Sequence, residues 1–438
     1  MGPEEIIGEA PRLRAFRGVR YSAGLAKELP RLLAPPYDLI SPAQQRQLYR
    51  AHPNNIVRLI LGKEYAREGP QRNRYTRAAH FLRQWLAKGI LSRDAQPALY
   101  RYWVEYETEQ GEKRLADGLL TMLHLSTPEA PVLPHESIRP APLEYVLELT
   151  KHCRAQLSPV ITVYGHPQQA MRQRLSQIDW GEPLVEVVVK RERHLLFACT
   201  DAAAIARLSR LLGSQPVLIA DGHHRYQAAC DYRDYMARPG DEKTALHNYI
   251  LTWMHPLEGG LSLWPTHRVV NLRQLEARRA LARLKGLCEL APAPRINSWQ
   301  KAGQALRHKG QSDRTRHRFL ALHGRPCRAT LISTTRQACE ELEPLALYPE
   351  WRELDVVMLE QVLLRGALGL DKEDISYNHD LRTVWRAVAT GEADMAFLLN
   401  PPTISQVQNI AAAGRRMPPK STYFHPKPLS GMALALLD

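Results

Sequence analysis

No apolar run in this 438-residue chain approaches the roughly 20 residues that a membrane-spanning helix needs, so a soluble protein with no membrane partner is expected. The opening Met1-Gly2-Pro3-Glu4-Glu5 is acidic and has no hydrophobic stretch, so no secretion signal is expected there. Six cysteines (Cys153, Cys199, Cys230, Cys288, Cys327, Cys339) stand far apart, and none forms a Cys-x-x-Cys pair. A zinc knuckle and a thioredoxin-type redox site therefore lack support, and a reduced, cytoplasmic protein is expected. Also missing are a Gly-x-Gly-x-x-Gly fingerprint, a P-loop and the His-Glu-x-x-His pattern of zinc hydrolases. No internal repeat or low-complexity tract appears.

What is present is a globular composition, 44% hydrophobic and 24% charged, with a net charge of +14. That charge suits anionic partners: a nucleotide, a phosphorylated metabolite or, less favoured, nucleic acid. The basic residues are dispersed except from Arg307 to Arg318, and that stretch also reads as a solvated loop.

The most informative segment runs from Val217 to Ala229. A short apolar run ends at Asp221-Gly222, and His223, His224 and Arg225 follow at once. Asp-Gly is a turn signal, so the pattern predicts strand, tight turn, helix. At a helix start, outward-pointing amides and the positive end of the dipole make an anion site, which Arg225 would reinforce. A helix start whose polar residues merely face solvent is the bland alternative.

The strand, Asp-Gly-x-His-Arg, helix arrangement resembles the phosphate-binding motif of the ParB/sulfiredoxin-like superfamily. The whole chain resembles the DUF1015 family, through blocks at 34–38, 52–55, 133–136, 221–225, 263–268 and 417–427. Resemblance to the superfamily's serine kinases implies an upstream glutamate and the Asp of Asp-Gly as the catalytic pair, here Glu136 and Asp221. It suggests serine or phosphoserine as substrate. Resemblance to partition proteins implies instead a noncatalytic, nucleotide-responsive or nucleic-acid-binding protein. A sulfiredoxin-type reductase would need cysteine where His223 stands.

An α+β fold is expected, with mixed sheets, helices and a ParB/sulfiredoxin-like module around the Asp221–Arg225 turn. Three regions are expected: 1–130, 131–275 and 276–438. Within them, hairpins are predicted over 100–125 and 185–199, strands over 160–164 and 248–253, and helices over 75–88, 145–154 and 354–367. Asp201 is expected to cap a helix that closes at Gly213.

Three further constellations could carry chemistry. His135 and Glu136, with Arg139 beyond, lie on a proline-stiffened connection, where a carboxylate beside an imidazole can act as general base. Thr266, His267 and Arg268 could complete a phosphate clamp. Lys420, Ser421, Thr422 and Lys427 lie on a proline-braced segment that could reach a phosphate. Pro35-Pro36-Tyr37-Asp38 reads as a rigid turn, with Tyr37 or Asp38 at a site edge as the alternative. The expected ligand set is Gly222, His223, His224, Arg225 and Thr266 to Arg268 on phosphate oxygens. No dedicated metal site is expected, although Mg2+ could enter with a nucleotide. The function expected is phosphoryl transfer, of kinase or phosphatase type, on a small metabolite.

Overall fold

The structure, a computed structural model, describes residues 10–108, 111–238, 242–273, 275–308 and 316–438. Their contacts group the chain into two compact units. Unit 1 holds 1–134, 138–262 and 426–438, and unit 2 holds 135–137 and 263–425. Both are helices packed with sheets, an α+β architecture.

Unit 1 is built on a mixed nine-stranded sheet. Its strands are β1 (Leu13–Arg14), β2 (Leu99–Glu107), β3 (Lys113–His124), β4 (Val132–Leu133), β5 (Val160–Tyr164), β6 (Val185–Val189), β7 (Glu192–Cys199), β8 (Val217–Asp221) and β9 (Tyr249–Pro256). Their order is β4-β8-β5-β9-β3-β2-β7-β6, with β1 added against β3. Both predicted hairpins form, β2 with β3 and β6 with β7. Strand β9 runs parallel to β5 and antiparallel to β3. This places β5 and β8, apolar throughout apart from Thr162 and the terminal Asp221, away from the sheet edge formed by β6.

Helices α1 (Pro42–Ala51), α2 (Arg74–Ala87), α3 (Pro140–Cys153), α4 (Ala202–Leu212) and α5 (His223–Met236) belong to the same unit. Ser41 caps α1 in a reciprocal box with Gln44. Asp201 accepts from the Ala203 N–H at the start of α4, and Gly213 ends it as expected. One face of the sheet packs Leu195, Phe197, Val217, Ile219 and Met254 against Leu208 and Leu212 of α4 and Tyr226 and Ala229 of α5.

Unit 2 carries a six-stranded antiparallel sheet of β10 (His267–Val270), β11 (Cys288–Pro292), β12 (Arg318–His323), β13 (Arg328–Thr334), β14 (Ile375–Asn378) and β15 (Met395–Leu398), ordered β11-β13-β12-β15-β10-β14. A helix over Leu381–Thr390 packs Val384 and Val388 onto it and stops at left-handed Gly391. The helix expected over 354–367 differs. A single α-turn at Asp355–Val357 gives way to wider π winding over Met358–Ala367, closed by bonds such as Leu368 N–H to the Leu363 carbonyl. Apolar spacing alone does not separate the two windings. Lys309 to Arg314 of the basic stretch lie outside the described residues.

Candidate functional site

The turn after β8 is built as its sequence suggests. Gly222 sits at φ 94°, in the left-handed region, and α5 starts at His223. A Cβ on residue 222 would lie 3.1 Å from the Arg225 guanidinium, so glycine is needed for the backbone and for this close approach. The first amides of a helix have no acceptor one turn back, and together with the dipole they favour an anion.

Two cations converge on the Asp221 carboxylate. Arg225 donates to it at 3.0 Å and also to the Pro159 carbonyl, while Lys427 forms a short ion pair with its other oxygen. The three side chains retain only 7%, 9% and 21% exposure for Arg225, Lys427 and Asp221. Burial by itself would raise the Asp221 carboxyl, but Lys427 and Arg225, helped by His223, outweigh it and hold the group below the usual carboxylate range. Asp221 is therefore ionised at neutral pH. Two cations against one carboxylate leave this trio one positive charge in excess.

The two histidines do different things. His223 is buried at the first position of α5. His224 accepts the Arg139 backbone N–H at 2.9 Å through Nε2, which ties the start of α3 to the start of α5 and requires that nitrogen to be unprotonated. Arg139 itself is exposed. Tyr37, on the short turn after Pro36, packs its ring on Tyr145 of α3 with centroids 5.6 Å apart. Asp38, Arg225, Asp221 and Arg139 all act electrostatically on its hydroxyl, which burial holds protonated.

The remaining expected residues belong to unit 2. His135 is buried, and its carbonyl accepts the Met417 N–H at 2.6 Å. Thr422 donates its one hydroxyl proton to Glu136 at 3.2 Å, so its contact with His135 Nε2 at 3.0 Å is one in which the imidazole donates. Ser421 is buried and donates to the Pro418 carbonyl, whereas Lys420 is exposed at φ 63°. Thr266, His267 and Arg268 are all buried. Arg268 donates to Glu360 at 2.6 and 2.9 Å and to the carbonyls of Thr266 and Lys420, with no exposed surface. Its guanidinium is thus engaged within the core of unit 2.

The structure therefore gathers Asp221, Gly222, His223, His224, Arg225 and the Arg139 backbone in one unit. Glu136, His135 and the 266–268 and 420–422 groups are in the other. Lys427 and Tyr37 were not in the expected ligand set, yet they stand in unit 1 at or beside the Asp221 trio. Their signal was membership of the 417–427 and 34–38 blocks. Among the described residues, no group of three or more His, Cys, Asp or Glu is placed to hold a metal. No helix among them is long and apolar enough to cross a membrane.

A family model described as "Protein of unknown function (DUF1015)" matches residues 13–357. No curated protein matches the chain. Among solved structures, a free serine kinase variant in complex with ADP is similar at TM-score 0.36 and 14% identity, over 70% of this chain and 88% of that one. A conserved hypothetical protein from Pyrococcus furiosus gives TM-score 0.33 and 14% identity, over 70% and 92%. SbnI from Staphylococcus aureus, truncated at its C-terminus, gives 0.32 and 11%, over 71% and 87%.

Proposed function

We propose, for a chain that belongs to the DUF1015 family, that the start of α5 with Arg225 and Lys427 binds the phosphate of a nucleotide or small phosphorylated metabolite. The protein would be a cytoplasmic phosphotransfer enzyme, and the turn would be the phosphate site of a ParB/sulfiredoxin-like module. One observation carries this: a glycine-turned helix start and two nearly buried cations meet at a single carboxylate, leaving net positive charge. Such a centre is costly in a purely structural role, because buried charges pay a desolvation penalty that apolar packing avoids.

Phosphoryl transfer asks a protein mainly for positioning and charge neutralisation. Arg225 and Lys427 supply the charge, and the first amides of α5 supply directed donors. Asp221 is held too acidic to be an effective general base at neutral pH, so its part is to orient the two cations and tune their charge. Mg2+ would arrive with the nucleotide's phosphates. Serine or phosphoserine is the candidate substrate. We assign Arg268 to the core of unit 2, because Glu360 already engages it.

The test is calorimetry with ADP, AMP and phosphoserine on the wild-type protein and on Lys427→Met. At least one ligand should bind, and the variant should weaken it about tenfold or more, the scale of one charge-assisted hydrogen bond. Absence of binding by all three, or unchanged affinity in the variant, refutes the assignment.

A further inference from the structure

Beside the Asp221 trio, within unit 1, lies a small cavity of about 40 Å3, bounded among others by Tyr37, Tyr145, Leu149, Leu157, Arg225 and Ile250. At roughly 10–15 Å3 per water by the same measure, it has room for about three water-sized atoms. A nucleobase does not fit that space, but the three atoms of a carboxylate do.

The polar groups around the cavity sort into satisfied and available ones. Gln156 accepts from the Leu251 N–H and donates to the Tyr249 carbonyl. Ser158 is bonded to Ser430 at 2.7 Å, and Thr150 donates to the Val146 carbonyl at 2.8 Å. Arg225 has five N–H donors, of which one goes to Pro159 and one to Asp221. The Tyr37 hydroxyl makes no hydrogen bond to a described residue, and burial keeps it protonated and therefore a donor. Among the residues bounding this mostly apolar cavity, a guanidinium and a phenol are the two groups whose donors match a planar carboxylate.

We infer that Tyr37 and Arg225 form a carboxylate-binding recess beside the phosphate site, and that it selects a small carboxylate-bearing metabolite as the second substrate. Tyr37 is then a specificity-determining residue. The inference rests on the phosphate reading above, because Arg225 serves both groups.

Saturation-transfer NMR tests it at millimolar ligand and saturating ADP. The probes are acetate, L-lactate and glycerate, paired with the carboxyl-free ethanol, propane-1,2-diol and glycerol. The wild-type protein should bind the carboxylates and not their partners. Tyr37→Phe removes one oxygen and keeps the ring against Tyr145, so its melting temperature should hold while carboxylate affinity falls about tenfold. Val146→Phe, which fills the cavity from α3, should abolish the same signal. Wild-type carboxylate affinity in folded Tyr37→Phe overturns the inference, as does a wild-type protein that binds ADP but none of the carboxylates. Failure to bind ADP, with carboxylate binding that still depends on Tyr37, would instead remove the phosphate reading and leave the recess.

Discussion

Asp221 and Arg225 show how far residue chemistry constrains the site. Arg225 is 7% exposed and bonded to Asp221 and to the Pro159 carbonyl, so it is part of the fold as well as of the proposed ligand set. Arg225→Ala should therefore weaken phosphate-ligand binding by about 1.5–3 kcal/mol and also lower stability, because Asp221 loses a buried partner. Calorimetry and urea unfolding on the same variant separate the two effects. Asp221→Asn should behave in the opposite sense toward ligand. It removes the only carboxylate of the trio, so ADP or phosphoserine affinity should hold or rise.

At the scale of elements, the junction of β8 and α5 concentrates the constraint. Its glycine takes φ 94° with a guanidinium packed beneath it, so Gly222→Ala meets both a backbone and a steric penalty. We expect a loss of about 1–2 kcal/mol in stability, the cost of a left-handed non-glycine residue, with displacement of Arg225 adding a loss in ligand affinity. Chemical denaturation and calorimetry read these out, and an unchanged midpoint would show that the turn can relax. The local pattern was legible here because turn, strand and cap signals span only a few residues. The hairpin of β2 and β3, the cap of α4 by Asp201 and its stop at Gly213 were legible for the same reason. The winding of 358–367 was not, since π and α turns bury similar apolar spacings.

Across the whole molecule, acid should be destabilising, through histidines outside the proposed site. His255 on β9 is fully buried against Trp253, with ring centroids 4.1 Å apart, and neither ring nitrogen makes a well-formed hydrogen bond among the described residues. Burial pushes it down to about 3, with the charge and the backbone of Asp117 pulling the other way. His267, in unit 2, is likewise lowered to about 3 by burial and then by Arg268 and His379. Between about pH 6.5 and 3 the unfolded chain binds protons at these positions and the folded chain does not, so stability rises with pH across that window and falls on acidification. His255→Phe should flatten the slope of unfolding free energy by up to about 1.4 kcal/mol per pH unit in that range. An unaltered slope would mean that the ring is hydrated or already paired. Asp221 acts in a different window. Its depressed carboxyl contributes stability above the unfolded carboxylate pKa, and this is lost only as pH falls through the lower folded value. The net charge of +14 predicts nonspecific binding to DNA that fades steeply between low and physiological salt, measured by fluorescence anisotropy.

By itself the sequence determined the α+β class, the glycine turn at 221–225 and the family, because each is written in short-range spacing or in blocks matched along the chain. Only the tertiary structure decided which cations face Asp221. Lys427 lies far along the chain from its partner, and nothing local announces a pair closed by the return of the final segment into unit 1. The same holds for Arg268, whose Thr-His-Arg context suggested a phosphate clamp until Glu360, on a distant π-wound segment, was seen to engage it. Charged side chains acquire their roles from what is packed against them, and in a chain this long those neighbours are mostly remote in sequence.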